Sequence, residues 1–482
     1  MADQAVASGG AQRTDDGLLA WIDGQYARAS AKIFGAISAT HLLKERPGFG
    51  RTMRPVKGSV LASPELSSYD PDPDYFFHWL RDSSLTMDAL RHLVDDPAHG
   101  EAARTAFADY VGFSLGLTRL SGAARLAQGD PRDGVRPDFL QFVRASEDIA
   151  KAEGDYVLGD TRYNPDGTLD TISWPRPQFD GTAMRPLGLL RYRALPCAAA
   201  NRAAIDELVG IDLDCTARRS AEPCFDLWEE EIGHHFYTRL IQCAALEAGV
   251  GWARTRGDAA RADRYAAAAQ VLSASLPGYW SERDGFYLSR LPGPDTSADK
   301  ALDAAVILGT VHAERTAGDC SVLDPRTQAT LLKLEALFAE DYAVNRDRPA
   351  DCGLLLGRYR NDRYYAGGAY LMTTLAAAEF YYRLAATVGA GGPAADSSLH
   401  GELAAALGAV DGPPAVVKAL IGRGDGILNA VRRFTPPDGS MAEQVDQTTG
   451  APASAKNLTW SYGGFITAVV ARRSAEAALP GA

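Results

Sequence analysis

The sequence predicts an all-α protein of about a dozen helices, paired in rings or layers within one domain. Three observations predict it. Apolar residues recur at helical spacing, as at Leu371, Leu375, Ala378 and Tyr382, which mark one buried face. Alternating runs of the kind that make strands are short and scattered, mostly inside loops. No composition break divides the 482 residues, and short connections make successive helices antiparallel neighbours. No fixed-period repeat is visible, which argues against a regular solenoid.

Helices are predicted over residues 16–44, 83–95, 101–120, 182–195, 224–250, 257–276, 300–316, 325–343, 366–387, 396–408, 413–432 and 456–476. The connections 45–82, 122–181, 344–368 and 433–457 are rich in Gly, Pro, Asp and aromatics. Loops of that length are functional or disordered, and their aromatics argue against disorder. Residues 388–398, rich in Gly, Ala and Pro, are the expected exposed flexible loop.

Hydrophobic content of 46% is that of a globular protein. A net charge of -12 argues against nucleic acid or an anionic membrane as the main partner. No apolar run approaches the roughly 18 residues that span a bilayer. The stretch Met1 to Asp15 is small and polar, without a basic patch and hydrophobic core, so a cytoplasmic location is expected, or a secreted or periplasmic one if the sequence is trimmed. Cys197, Cys215, Cys224, Cys243, Cys320 and Cys352 form no C-x-x-C pair; their even count permits disulfides among Cys197, Cys215 and Cys224, and buried free thiols are the stronger expectation.

Five segments carry chemistry. In Tyr75-Phe76-Phe77-His78-Trp79-Leu80-Arg81-Asp82, an adjacent Arg and Asp at a helix entrance suit vicinal hydroxyls, one donating and one accepting. Tyr75 and Trp79 supply flat apolar walls, while Asp82 also fits a plain N-cap with Arg81 paired locally. Trp174-Pro175-Arg176-Pro177-Gln178-Phe179-Asp180-Gly181 presents a Trp on a backbone fixed by prolines, or anchors a loop with it. Asp226-Leu227-Trp228-Glu229-Glu230-Glu231 crowds carboxylates behind a Trp. If it is helical, Asp226 and Glu230 share one face, and burial of one carboxylate beside Trp228 raises its pKa toward that of a general acid. An acidic first helical turn is the plainer explanation. Gly357-Arg358-Tyr359 leads into Tyr364 and Tyr365, and Ser440-Met441-Ala442-Glu443-Gln444 is followed by Leu458-Thr459-Trp460-Ser461-Tyr462. Gly112-Phe113-Ser114-Leu115-Gly116 matches a nucleophile-elbow pattern but lies in a helical stretch without the required strand. No metal-binding motif is present, and no cofactor or metal is expected.

Taken in order, these motifs resemble the glucoamylase family of inverting α-glucoside hydrolases (glycoside hydrolase family 15), over residues from about 58 to 470. The resemblance implies an (α/α)6 barrel of about twelve helices in two concentric rings, with long loops forming a funnel. It implies Glu229 as general acid and Glu443 as general base, with Asp226 and Tyr75 in support. It implies substrate binding by Trp79, Arg81, Asp82, Trp174, Trp228, Glu230, Arg358 and Tyr364. Inversion needs the two carboxylates roughly 6.5–9.5 Å apart, with water between.

The expected function is release of β-glucose from the non-reducing ends of soluble α-1,4-linked glucans and maltooligosaccharides. An α-1,6-glucan or trehalose hydrolase of the same family is the nearer alternative, and a non-catalytic glucan-binding scaffold the more distant one. Two departures bear on specificity. Fungal enzymes follow the acidic pair with a hydrophobic residue, Asn, Gly and two serines, where this chain has Glu231-Ile232-Gly233-His234-His235. Tyr370 stands where the family commonly has a tryptophan. A single catalytic domain is expected, without a separate starch-binding domain.

Overall fold

The computed structural model describes residues 4–291, 293, 297–391, 399–410 and 412–479. Residues 392–398 of the expected flexible loop lie outside them. Among the described residues, twelve helices have nine residues or more. They are α1 Gln4–Ala36, α2 Leu80–Leu90, α3 Gly100–Leu117, α4 Gly181–Arg193, α5 Arg202–Arg219, α6 Phe236–Thr255, α7 Ala259–Ser275, α8 Ala305–Ala313, α9 Pro325–Asp341, α10 Leu371–Gly389, α11 Pro413–Phe434 and α12 Thr459–Ala477.

The even-numbered helices form the inner ring. Each packs on the next, from α2 through α4, α6, α8 and α10 to α12, and α12 closes the circle against α2. Their sequences suit enclosure: every residue of α2 is buried, as is every residue of α8 except His312, the mark of a helix surrounded by protein. The odd-numbered helices lie outside with one buried stripe each. α11 buries Val416, Val417, Leu420, Ile421, Ile427, Leu428 and Val431 against α10, and α1 buries Leu18, Ile22, Ala29 and Ile33 beside α12. This is the expected (α/α)6 barrel.

All six inner helices start at one mouth, where the long connections gather. The helix macrodipoles put partial positive charge there, which suits the carboxylates of Asp82, Asp180 and Asp303 at or just before the first turns of α2, α4 and α8. At the opposite end, Glu314 accepts from Arg91 (2.9 Å) and Arg383 (3.0 Å) and pairs with Arg191 (3.4 Å), and Asp88 accepts from Arg91 and Arg191 (both 2.7 Å). Positive side chains thus meet the helix C-termini, as the dipole favours.

Two expectations are corrected. Residues 224–250 are not one helix. Cys224–Phe225 and Ile232–Gly233 are short antiparallel strands, the acidic run is the turn between them, and the helix begins at Phe236. The cause is Asp226: its carboxylate accepts the backbone N–H groups of Glu230 (2.7 Å) and Glu231 (2.9 Å), and its carbonyl accepts that of Glu229 (2.9 Å). A side chain that takes backbone donors in this way competes with helix formation. Conversely, α5 is a helix with no predicted counterpart, because Asp206 and Asp212 lie on its buried side and blur the apolar stripe. Arg193 and Arg256 pair with the first, and Arg185 forks onto the second at 2.6 and 2.7 Å. All six cysteines are free, and four of them are buried.

Candidate active site

The mouth of the inner ring holds a pocket of about 210 Å³. Residues from five of the six connections before the inner helices wall it. Of the twelve residues expected at the site, Tyr75, Trp79, Arg81, Asp82, Trp174, Trp228, Glu229, Glu230, Arg358, Tyr364 and Glu443 line it. Asp226 does not. It sits behind the turn it organises, its remaining carboxylate oxygen 3.0 Å from Lys300 Nζ.

Glu229 is carried at the tip of that turn with φ +65°, in the left-handed region, where a non-glycine residue costs energy and is held by its surroundings. The holding groups are visible. Trp79 Nε1 donates to one carboxylate oxygen at 2.8 Å and Arg81 Nη2 to the same oxygen at 3.0 Å, while Trp174 Nε1 donates to the other. Arg81 is shared: it also bonds Asp180 at 3.2 Å and approaches Asp82 to 3.2 Å. Burial pushes the Asp82 carboxyl up to about 6, against the pull of Arg81.

Glu443 faces the pocket from the other side, one residue before the central strand of a small three-stranded sheet formed by Ala369–Tyr370, Gln444–Val445 and Pro452–Ala453. Its backbone is pinned on both sides, the N–H to Ala455 (2.7 Å) and the carbonyl to Leu371 (3.0 Å). One carboxylate oxygen accepts from Ser454, the other from the Tyr75 hydroxyl at 3.4 Å. The Tyr75 hydroxyl lies 2.7 Å from that of Tyr364. Burial raises the Glu443 carboxyl to about 7, and the bonds from Ser454 and Tyr75 and the charge of Arg358 oppose the rise.

Glu230 belongs to a third cluster. Arg358 Nη2 (2.9 Å), Tyr359 Oη (2.9 and 2.7 Å) and Lys300 Nζ (2.5 Å) all reach its carboxylate. Arg358 is itself locked by Asp362 at 2.7 and 2.5 Å and lies within 5.1–5.4 Å of the rings of Trp228, Tyr359, Tyr364 and Tyr370. The glycine before it has a steric cause: a Cβ on Gly357 would lie 1.9 Å from the Tyr342 hydroxyl. Glu231 turns away from the pocket to pair with Arg290.

Four residues absent from the sequence expectations prove structural to the site. Lys300 bridges Asp226 and Glu230, Asp303 accepts the Trp228 indole N–H at 3.0 Å, Ser454 bonds Glu443, and Trp460 lines the pocket floor with Arg81 5.5 Å above its ring. Trp460 belongs to the Leu458–Tyr462 motif, whose aromatics were its signal. Lys300 and Asp303 had no local signal.

Sugar acetal hydrolysis needs a proton donor and a water-activating base flanking the scissile bond among ring-sized apolar surfaces. The arrangement places the protein in the class of helical-barrel glycoside hydrolases. Residues 49–470 match the family model for glycosyl hydrolases family 15, and the chain belongs to that family. It is 28% identical over 465 residues to "Glucoamylase-1" of Schizophyllum commune, covering 89% of this chain and 71% of that protein. It is 26% identical over 459 residues to a "Probable glucoamylase" of Schizosaccharomyces pombe, covering 91% and 90%. Among solved structures, the glucoamylase from Saccharomycopsis fibuligera superposes with a TM-score of 0.75 at 23% identity, covering 95% of this chain and 96% of that one. The fold of the two is the same.

The expectation of a cytoplasmic location is corrected. The relatives with which the chain aligns are glucoamylases, which are typically secreted extracellular enzymes, and a polar N-terminal stretch carries no weight against them. Among the described residues, no helix is long and apolar enough to cross a membrane.

Proposed function

We propose that the chain is a glucoamylase-type exo-hydrolase, a single catalytic domain that releases β-glucose from the non-reducing ends of α-1,4-linked glucans and maltooligosaccharides. One observation carries the reading: Glu229 and Glu443 line one pocket from separate loops, and that pocket is walled by five connections. Such a pocket admits a chain end, not a chain passing through.

Glu229 gives its proton to the glycosidic oxygen as the bond from C1 to that oxygen breaks. Glu443 takes a proton from water attacking C1 on the opposite face. Tyr75, bonded to Glu443, lies beside the water and the developing positive charge. Arg81 and Asp82 hold hydroxyls of the terminal sugar, while Trp79 and Trp174 serve both as wall and as donors to the acid. Arg358, Trp228 and Glu230 meet the next sugar, with Tyr364 between the two groups. Asp226 positions Glu229 through the turn.

Proton NMR of the first minutes of maltotriose hydrolysis tests the reading. The β-anomer appears first if water attacks opposite the leaving group, and α-glucose first would overturn inversion. Comparing rates on maltotriose, isomaltose and trehalose tests linkage, and a preference for isomaltose or trehalose would replace the α-1,4 assignment.

A further inference from the structure

A second groove lies on the far side of the funnel's Trp174–Pro175 wall and encloses about 700 Å³, against about 210 Å³ for the funnel. We propose that this groove is a second α-glucan site, holding a stretch of polysaccharide outside the funnel; the proposal rests on reading the funnel as the site of glucan hydrolysis.

Three observations carry it. The first is a prepared aromatic surface. Tyr156 lines the groove and is 42% exposed, yet its ring is fixed. The guanidinium of Arg219 lies 4.5 Å over the ring and donates to its hydroxyl at 3.3 Å, and Arg219 is anchored by Asp155 at 3.0 Å and Glu222 at 2.7 Å. An amphipathic ring already immobilised loses little freedom on binding, and pyranose faces pack on such rings.

The second is charge. Arg144 and Arg176 at the groove both pair with the buried Asp160, Arg176 pairs also with the buried Asp170 at 3.1 Å, and Lys151 pairs with Asp148 at 2.8 Å. Each cation at the groove is thus already held by a carboxylate and its donors are partly engaged, which suits hydroxyl recognition by the remaining N–H groups. The third is continuity: Trp174 and Pro175 line both cavities. A glucan held in the groove keeps its neighbouring chain ends at high local concentration before the funnel.

The probe is β-cyclodextrin, a ring of α-1,4-linked glucoses with no chain end for the funnel to take. Calorimetric titration of the full chain is expected to show binding. Tyr156→Ala should weaken it roughly ten-fold, the scale of one lost aromatic contact, while Tyr156→Phe retains it. Turnover of maltotriose should be unchanged in both variants, and turnover of long amylodextrin at low concentration should fall in Tyr156→Ala alone. No binding by the wild-type protein, or equal binding by Tyr156→Ala, overturns the proposal. Failure of the wild-type protein to release glucose from maltotriose sinks the catalytic reading instead, and the two are distinct because cyclodextrin binding is measured without turnover.

Discussion

The indole N–H of Trp79 lies 2.8 Å from a carboxylate oxygen of Glu229, so a wall of the pocket and the proposed acid form one unit. A Trp→Phe change keeps the apolar wall and removes only the donor. Hydrogen bonds to charged groups contribute about 1.5–3 kcal/mol. Trp79→Phe should therefore lower kcat roughly 10- to 100-fold with little change in KM. A kcat equal to wild type would show that the contact only packs.

Glu229→Gln and Glu443→Gln should each reduce kcat by roughly 10²–10⁴-fold, the range of general acid–base catalysis. Circular dichroism and melting temperature should stay near wild type. Near-normal turnover in either variant removes that residue from the mechanism.

The pH dependence follows from Glu443, whose carboxyl burial raises to about 7. A base must be ionised, so activity should fall as pH drops through about 7. Ser454 donates to the ionised form and holds the value down. Ser454→Ala removes that restraint, and its acid limb should move to higher pH. Profiles of kcat/KM for the two proteins, measured side by side, check this. A limb that stays put or moves down contradicts the assignment of Glu443 as the base.

Lys300 Nζ bonds both Asp226 and Glu230, and so ties the base of the acidic turn to its pocket-facing side. Its side chain is buried, and removing one partner of a buried ionic cluster leaves the others uncompensated. Lys300→Met should cost about 3 kcal/mol of stability, read by urea unfolding, and should raise KM as Glu230 and the turn lose their anchor. A stability loss without any change in KM would confine Lys300 to folding.

Much of the site was legible because its residues come in short runs with unusual chemistry. Arg81 beside Asp82, and Trp228 ahead of three glutamates, need no alignment of distant segments to be noticed. What was not legible depends on long-range contact. Lys300 meets Asp226 across 74 residues and Asp303 meets Trp228 across 75, and both sit in a stretch that reads as an ordinary helix start. The acidic run itself was misread as helical. Spacing alone does not reveal that Asp226 would take the backbone donors a helix needs. Helix α5 was missed for the converse reason: its aspartates are inside, neutralised by arginines from other elements, where a stripe count assigns polar residues to solvent. The count of about a dozen helices, by contrast, was legible and left rings or layers open, and only the family resemblance implied the closed barrel.

The closure of α12 against α2 has a consequence for the order of events during synthesis. The first inner helix waits for the last, more than three hundred residues downstream, before the circle exists. Glu443 travels just ahead of that last helix. A ribosome-bound chain that has already emerged past Glu229 carries the proposed acid but neither the proposed base, Glu443, nor Trp460. Contacts of such long sequence separation form late. The closing of the circle and the assembly of the proposed site are therefore one event.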